Sequence, residues 1–266
     1  AGSAWQYDVF AYPKNSTIGI IKKIYDDSNT LTDKVDRKIG DSVRQRITAD
    51  VPKLTDGKKN KTFIITDTMT AGLTFADSVE VRLGTSYDTA AVLTKTADYT
   101  VIPALGTQQF RVTLTEAGLQ KLDAVTAASQ LYVDFTGSLN RSAVIGGPDG
   151  NTNTPVLTYA TDRTVDKDIQ GNTPHVYTYE IDLTKTFSRA GQNFSLVKLS
   201  VVSDGNTLSF VKEEDGVYHL ADAYDEVTAG VTGVSPHSAS GLLKLKGLDS
   251  RVYVITEDAT VPGFNL

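Results

Sequence analysis

The chain has 266 residues, 40% of them apolar and 22% charged, with a net charge of −6; this is room for two ordinary domains and the composition of a globular protein. An isoelectric point near 5.1 argues against a basic nucleic-acid surface. Cysteine is absent, which excludes disulfides and thiolate metal sites, and no apolar run reaches the roughly 18 residues of a membrane-spanning helix.

In chain order, Ala1-Gly-Ser3 reads as a cloning remnant, no signal peptide precedes Trp5, and the sequence reads as a piece excised from a longer protein. The segment Trp5-Gln-Tyr-Asp-Val9-Phe-Ala-Tyr12-Pro13-Lys14-Asn15 follows. Pro13 fixes its own φ and pushes Tyr12 toward extended backbone, so Lys14 is presented on a stiff arm; taken by itself it is a solvated loop lysine. Beyond it, short β-branched or alternating runs separated by turn clusters predict strands over 19–25, 42–51, 62–67, 78–83, 108–114 and 131–136. One helix is predicted, with Thr115 as its cap and Leu119, Leu122 and Val125 on one face. The Gly146–Asn151 turn cluster leads into a strand over 156–159, and the polar stretch 164–171 reads as a linker. A second series is predicted over 176–186, 192–200, 207–212, 216–220, 241–245 and 251–256. The fold class is all-β, two tandem Ig-like sandwiches with one short helix in the first: residues 1–17 form a leading segment, 18–163 a first domain and 172–266 a second.

The Trp5 segment resembles the pilin motif W-x3-V-x-V-Y-P-K of the sortase-assembled backbone, or shaft, pilins of Gram-positive bacteria of the Spa and Fim type, with Ala11 where valine is usual. The end of the chain, Tyr253-Val-Ile255-Thr-Glu257-Asp-Ala-Thr-Val-Pro262-Gly263-Phe264, resembles the E-box of a CnaB-type domain, Y-x-L-x-E-T-x-A-P-x-G-Y. Asp258, Thr260 and Val261 depart from it and the proline is displaced by one place. Tyr177 to Thr186, containing Lys185, resembles the first CnaB strand, and Phe194-Ser-Leu196 the second.

That resemblance implies a structural subunit of an extracellular, wall-anchored pilus, not an enzyme and with no cofactor. Its partners would be neighbouring subunits in a covalent homopolymer, the pilin sortase, and host-surface receptors, with no nucleic acid and no membrane in this segment. Lys14 would be the amine that sortase joins to the next subunit. It also implies internal amides between a lysine and an asparagine held on adjacent strands. Burial lowers a lysine pKa and raises that of a carboxylic acid, so a neutral acid can shuttle protons while enforced contact replaces a chance encounter.

In the first domain Lys22 takes the motif position in Gly19-Ile-Ile-Lys22-Lys23-Ile-Tyr25, sharing strand parity with Ile20 and Ile24, and Lys23 is the alternative. Asp67, following an apolar strand, is the candidate acid or else caps a turn. Asn153 shares parity with Leu157 and Tyr159 and is the candidate asparagine, with Asn151 the alternative; both also suit turn chemistry beside Asp149-Gly150. In the second domain Lys185 and Glu257 carry over as a core pair, with the family's asparagine expected after the E-box, beyond Leu266. That domain is expected to have an unpaired sheet edge.

Other chemistry is weaker. His175, His219 and His237 lack ligand spacing, and Asp149–Asn153 fails as a calcium loop because Thr154 replaces the glycine and Ala160 the bidentate glutamate. The rival function is a monomeric wall adhesin or ligand-binding module, and a hydrolase accessory domain would need clustered exposed aromatics.

Overall fold

The computed structural model describes residues 18–54, 57–76, 78–102, 107–162, 165–222 and 230–266. Lys14 and the Trp5 segment lie outside the described residues. In the first half the chain runs through β1 (Ile20–Tyr25), β2 (Leu31–Thr32), β3 (Lys34–Asp36), β4 (Ser42–Asp50), β5 (Asn60–Met69), β6 (Leu73–Phe75), β7 (Glu80–Gly84), β8 (Ala91–Val92), β9 (Tyr99–Ile102) and β10 (Gln109–Leu114). Helix α1 (Glu116–Asp123), β11 (Gln130–Leu139), β12 (Asn151–Thr161), β13 (Lys167–Gln170) and β14 (His175–Tyr177) complete it. Two seven-stranded sheets result: β2-β1-β4-β11-β7-β8 with β6 on β11, and β3-β14-β12-β5-β10-β9 with β13 on β12.

Period-two alternation explains why these sheets face each other. Strand β4 turns Val43, Gln45, Ile47 and Ala49 inward, and β5 turns in Phe63, Ile65, Asp67 and Met69, all buried. One continuous core joins Ile20, Ile24, Ile47, Val133 and Phe135 of the first sheet to Phe63, Ile65, Phe110 and Leu157 of the second. Helix α1 begins where Thr115 accepts a hydrogen bond from the Gly118 N–H at 3.2 Å, and Leu119 and Leu122 seat it on that core.

A second core lies between the four-stranded sheet β15-β20-β19-β18 and the three-stranded sheet β17-β16-β21. Their strands are β15 (Tyr179–Thr184), β16 (Lys198–Ser203), β17 (Asn206–Thr207), β18 (Phe210–Glu214), β19 (Val217–Leu220), β20 (Leu242–Leu248) and β21 (Val254–Ala259). Among the described residues strand β21 has one ladder partner, β16, and its other edge is unpaired.

Three sequence expectations are corrected. The stretch 164–171 is not a free linker: β13 within it pairs antiparallel with Val156–Tyr159. Edge strands are kept polar, which is why the composition looked like a linker. The strand expected over 176–186 is two: β14 joins the first half's sheet beside β12 and β3, and the chain passes to the second core only after buried Thr178, whose hydroxyl donates to the Leu248 carbonyl at 3.0 Å. Phe194–Leu196 is a 3-10 turn rather than a strand, because the Asn193 side chain accepts hydrogen bonds from the N–H and hydroxyl of Ser195 and so caps it.

Candidate functional site

Strand β1 presents Lys22 to the interior. Ile20, Lys22 and Ile24 are buried while Ile21 is 55% exposed, and Lys23 points out to Asp33, with 2.7 Å between Nζ and Oδ2. On one side Lys22 lies opposite Ile47 of β4; on the other, the ladder with β2 covers only Ile24 and Tyr25. Asn172 stands in for the missing strand there. Its Oδ1 accepts from the Lys22 N–H at 2.7 Å and its Nδ2 donates to the Lys22 carbonyl at 2.8 Å. The site lysine is therefore pinned through its own backbone.

From the facing sheet come Asp67, on β5, and Asn153, on β12. Lys22 Nζ donates to Asp67 Oδ2 at 2.5 Å, and both side chains have 0% exposure. The Phe135 ring lies 4.8 Å from Nζ. Phe135 meets Phe110 edge-on at 4.7 Å, and Phe110 stacks on Phe75 at 4.3 Å. This apolar wall removes water from the pair. Desolvation lowers the Lys22 pKa to about 8 even against the pull of Asp67, and it raises that of Asp67 against the opposing effects of Lys22 and the Asn153 carboxamide. Burial thus disfavours both charges of the pair, which favours moving the shared proton from the amine onto the carboxylate within the core.

Asn153 is 1% exposed, and its Nδ2 donates to Gln45 Oε1 at 3.1 Å. Asp67 Oδ1, Asn153 Oδ1 and Gln45 Nε2 are buried without a hydrogen-bond partner. Buried polar groups are normally satisfied. Three such atoms in one constellation are a costly arrangement, by about 1–3 kcal/mol per group.

Asn151, equally buried, does something else. Its Oδ1 accepts from the Val144 N–H at 2.8 Å, and its Nδ2 donates to the carbonyls of Val144 at 3.3 Å and Val176 at 3.2 Å. Gly72 makes room for it, since a Cβ there would stand 2.1 Å from Asn151 Oδ1. Asn151 is thus a fully engaged backbone clamp. Strands β1 and β12 share no ladder and belong to different sheets, but they run close beside each other, as the expectation of neighbouring strands requires.

In the second half Lys185 Nζ lies 2.7 Å from Glu257 Oε2, but the side chains are 24% and 23% exposed, so this pair sits at the rim of the core instead of inside it. Lys185 directly follows the last residue of β15, its N–H donating to the Gly241 carbonyl at 2.9 Å. Glu257 Oε1 has no hydrogen-bond partner. Among the described residues of that half, Asn193 caps its turn, Asn206 donates to the Asp204 carbonyl and Asn265 is exposed. Sequence reading missed Gln45 and Asn172. A glutamine on the inward parity between Val43 and Ile47 was the available signal for the first; the second acts through backbone contacts that no local pattern encodes.

Residues 39–163 match the family model for Gram-positive pilin backbone subunit 2, Cna-B-like domain. A fimbrial subunit type 2 of Actinomyces naeslundii is 34% identical over 124 residues, which are 46% of this chain and 21% of that protein; the chain thus spans about a fifth of that relative's length. The 35 kDa C-terminal fragment of the major pilin GBS80 of Streptococcus agalactiae superposes with a TM-score of 0.67 at 17% identity, covering 94% of this chain and 88% of that one. The group B streptococcus pilus 2b backbone protein gives 0.62 at 17% identity, covering 92% and 86%. The major pilin subunit BcpA of Bacillus cereus gives 0.61 at 17% identity, covering 94% and 63%. Asp67, Asn153 and Gln45 fall inside the matched segment, and Lys22 precedes it.

Proposed function

We propose that this chain, which carries a Gram-positive pilin-backbone Cna-B-like domain at residues 39–163, is part of a shaft subunit of a cell-surface pilus, locked internally by an amide between Lys22 and Asn153. This is a structural family and not an enzyme class; the only chemistry is performed once, by the fold on itself. The observation that carries the reading is a lysine and an aspartate with 0% exposure, 2.5 Å apart, beside a carboxamide whose oxygen has no partner.

The neutral Lys22 amine attacks Cγ of Asn153 while protonated Asp67 donates a hydrogen bond to the carboxamide. In the tetrahedral adduct Asp67 relays a proton from the attacking nitrogen to Nδ2, the C–N bond to Nδ2 breaks, and ammonia leaves. Asp67 ends as it began, protonated. Holding the reactants together contributes roughly 7–11 kcal/mol toward the barrier, which is what allows an otherwise unreactive amide to be displaced. The product ties one sheet to the other, the function a disulfide would serve in a secreted protein that has cysteine.

Lys14 is proposed as the amine through which sortase joins successive subunits, which anchors the pilus to the wall through the last of them. Its support is the Tyr12-Pro13-Lys14 motif. Intact mass and peptide mapping test the internal bond: the folded protein lacks one ammonia, and a Lys22–Asn153 cross-linked peptide is recovered. A full complement of ammonia, or an unmodified Lys22 peptide, sinks it. Lys14→Arg in the full-length protein tests polymerisation, since a guanidinium stays protonated and is a poor nucleophile. Covalent ladders should vanish, and their persistence would move the role to another lysine.

A further inference from the structure

Gln45 enters no part of the reaction described so far, yet it is 0% exposed and its Oε1 accepts the Asn153 Nδ2–H at 3.1 Å. On β4 it lies opposite Ile24 of β1 and Phe135 of β11, so it belongs to the wall around Lys22. Its amide group rests beside Gly137, where a Cβ would stand 3.7 Å from Gln45 Nε2. That nitrogen has no hydrogen-bond partner. A leucine of similar size would fill the space without an orphaned donor, so Gln45 is a poor choice for stability alone. Its one hydrogen bond goes to the carboxamide that reacts.

We infer that Gln45 is a positioning residue for the Lys22–Asn153 amide: it holds the departing nitrogen of Asn153 in one orientation by accepting its N–H. The inference rests on the amide proposed above. A carboxamide on a rotatable Cβ–Cγ bond exposes either face, and it can interchange oxygen and nitrogen relative to the acid. With Nδ2 tethered to Gln45, the plane of the amide is fixed on the second sheet before Lys22 attacks across the gap. The same contact keeps an N–H of the leaving group engaged, so its developing lone pair stays free for the proton relayed by Asp67. Gln45 touches the reacting group but neither gives nor takes a proton, so atoms and charges balance as before.

The test is a chase after cell-free synthesis of the full chain, following ammonia loss by intact mass in wild type, Gln45→Leu and Gln45→Glu. Loss of one buried hydrogen bond should slow Gln45→Leu by roughly tenfold. Gln45→Glu retains an acceptor oxygen at the same reach and should restore the rate, which a purely space-filling role would not predict. If Gln45→Leu does not fold, Gln45→Asn, whose acceptor is withdrawn by one methylene, takes its place with the same expectation. A wild-type chain that never loses ammonia refutes the amide itself. A wild type that reacts, with the leucine or asparagine variant just as fast or with the glutamate variant as slow as they are, refutes the role of Gln45.

Discussion

Replacing Asp67 by alanine separates the chemistry from the fold. It removes the acid and leaves Lys22, at 0% exposure, without its partner. Two costs follow. The first is the missing cross-link: an amide from 22 to 153 closes a loop of 131 positions (153 − 22), and the chain-entropy relation for a closure of that length gives about 5 kcal/mol. The second is the stranded amine, worth about 3–5 kcal/mol if it stayed charged. Lys22 already titrates near 8, and without Asp67, which raises it, it titrates lower still and enters the core neutral. The second cost therefore falls toward that of an unpaired polar group, roughly 1–3 kcal/mol. At about 2–4 °C per kcal/mol for a domain of this size, Asp67→Ala should melt on the order of 15 °C or more below wild type and retain its ammonia. Calorimetry with intact mass on the same sample reads both. The double variant Lys22→Met, Asp67→Ala removes the stranded amine but not the missing bond, so it should recover only the smaller share. An Asp67→Ala protein that has lost ammonia, or that melts within a few degrees of wild type, refutes the reasoning.

Bond formation needs one proton on the Lys22–Asp67 pair, and the lysine gives it up near pH 8, so the rate of ammonia loss should hold through neutral pH and fall as pH rises through about 8. A rate that climbs on toward pH 10 would mean that free amine alone limits the reaction and Asp67 is not the acid. Asn151→Ala leaves Val144 and Val176 backbone groups unsatisfied and should cost about 3 kcal/mol in chemical denaturation with the ammonia still lost; retained ammonia would transfer the reaction to Asn151. Glu257→Gln breaks a pair that is about a quarter exposed, so the second half should shift by no more than about 1 kcal/mol in a thermal melt, and a loss of several kcal/mol would show that Glu257 is held in the core after all.

The fold class and most strands were legible because they rest on period-two alternation and turn chemistry, which are local. Parity alone left Lys22 and Lys23 open, because Ile21 and Tyr25 are apolar on Lys23's face; burial separates them, with Lys22 at 0% exposure and Ile21 at 55%. Nor could parity distinguish Asn153 from Asn151, since both occupy inward positions of β12. That choice depends on what faces each of them, Gln45 and Asp67 in one case and the backbone of Val144 and Val176 in the other, and facing residues are a property of sheet packing. Strand β13 was missed for a related reason. An edge strand has one neighbour to satisfy and one side in water, so its composition resembles that of a loop until its partner, Val156–Tyr159, is known. The rim position of Lys185 and Glu257 was likewise invisible, because exposure at the end of a strand depends on how far the opposite sheet extends.

If subunits are joined through Lys14 as proposed, the placement of the proposed bond fits the direction in which the chain would be loaded. Among the described residues Lys22 lies in the first strand, eight positions after Lys14 in sequence, and Asn153 lies in β12, the last long strand before the chain turns toward the second core. Tension applied at Lys14 would reach β1 before any other described strand. With β1 joined covalently to β12, that tension passes directly across the two sheets, and the strands β2 to β11 between them carry none of it. Asn172 adds a non-covalent continuation: it follows β13 and grips the backbone of Lys22 itself, so the entry and exit of the load meet at one residue. A hydrogen-bonded ladder between β1 and β4 would otherwise be the first element to yield, since each of its bonds contributes only about 1 kcal/mol net. An amide at Lys22 replaces that weakest step with a covalent one. On the proposed reading, a lysine on β1 places the covalent tie at the strand that would yield first, and Asp67 reaches it from the facing sheet, beside Asn153.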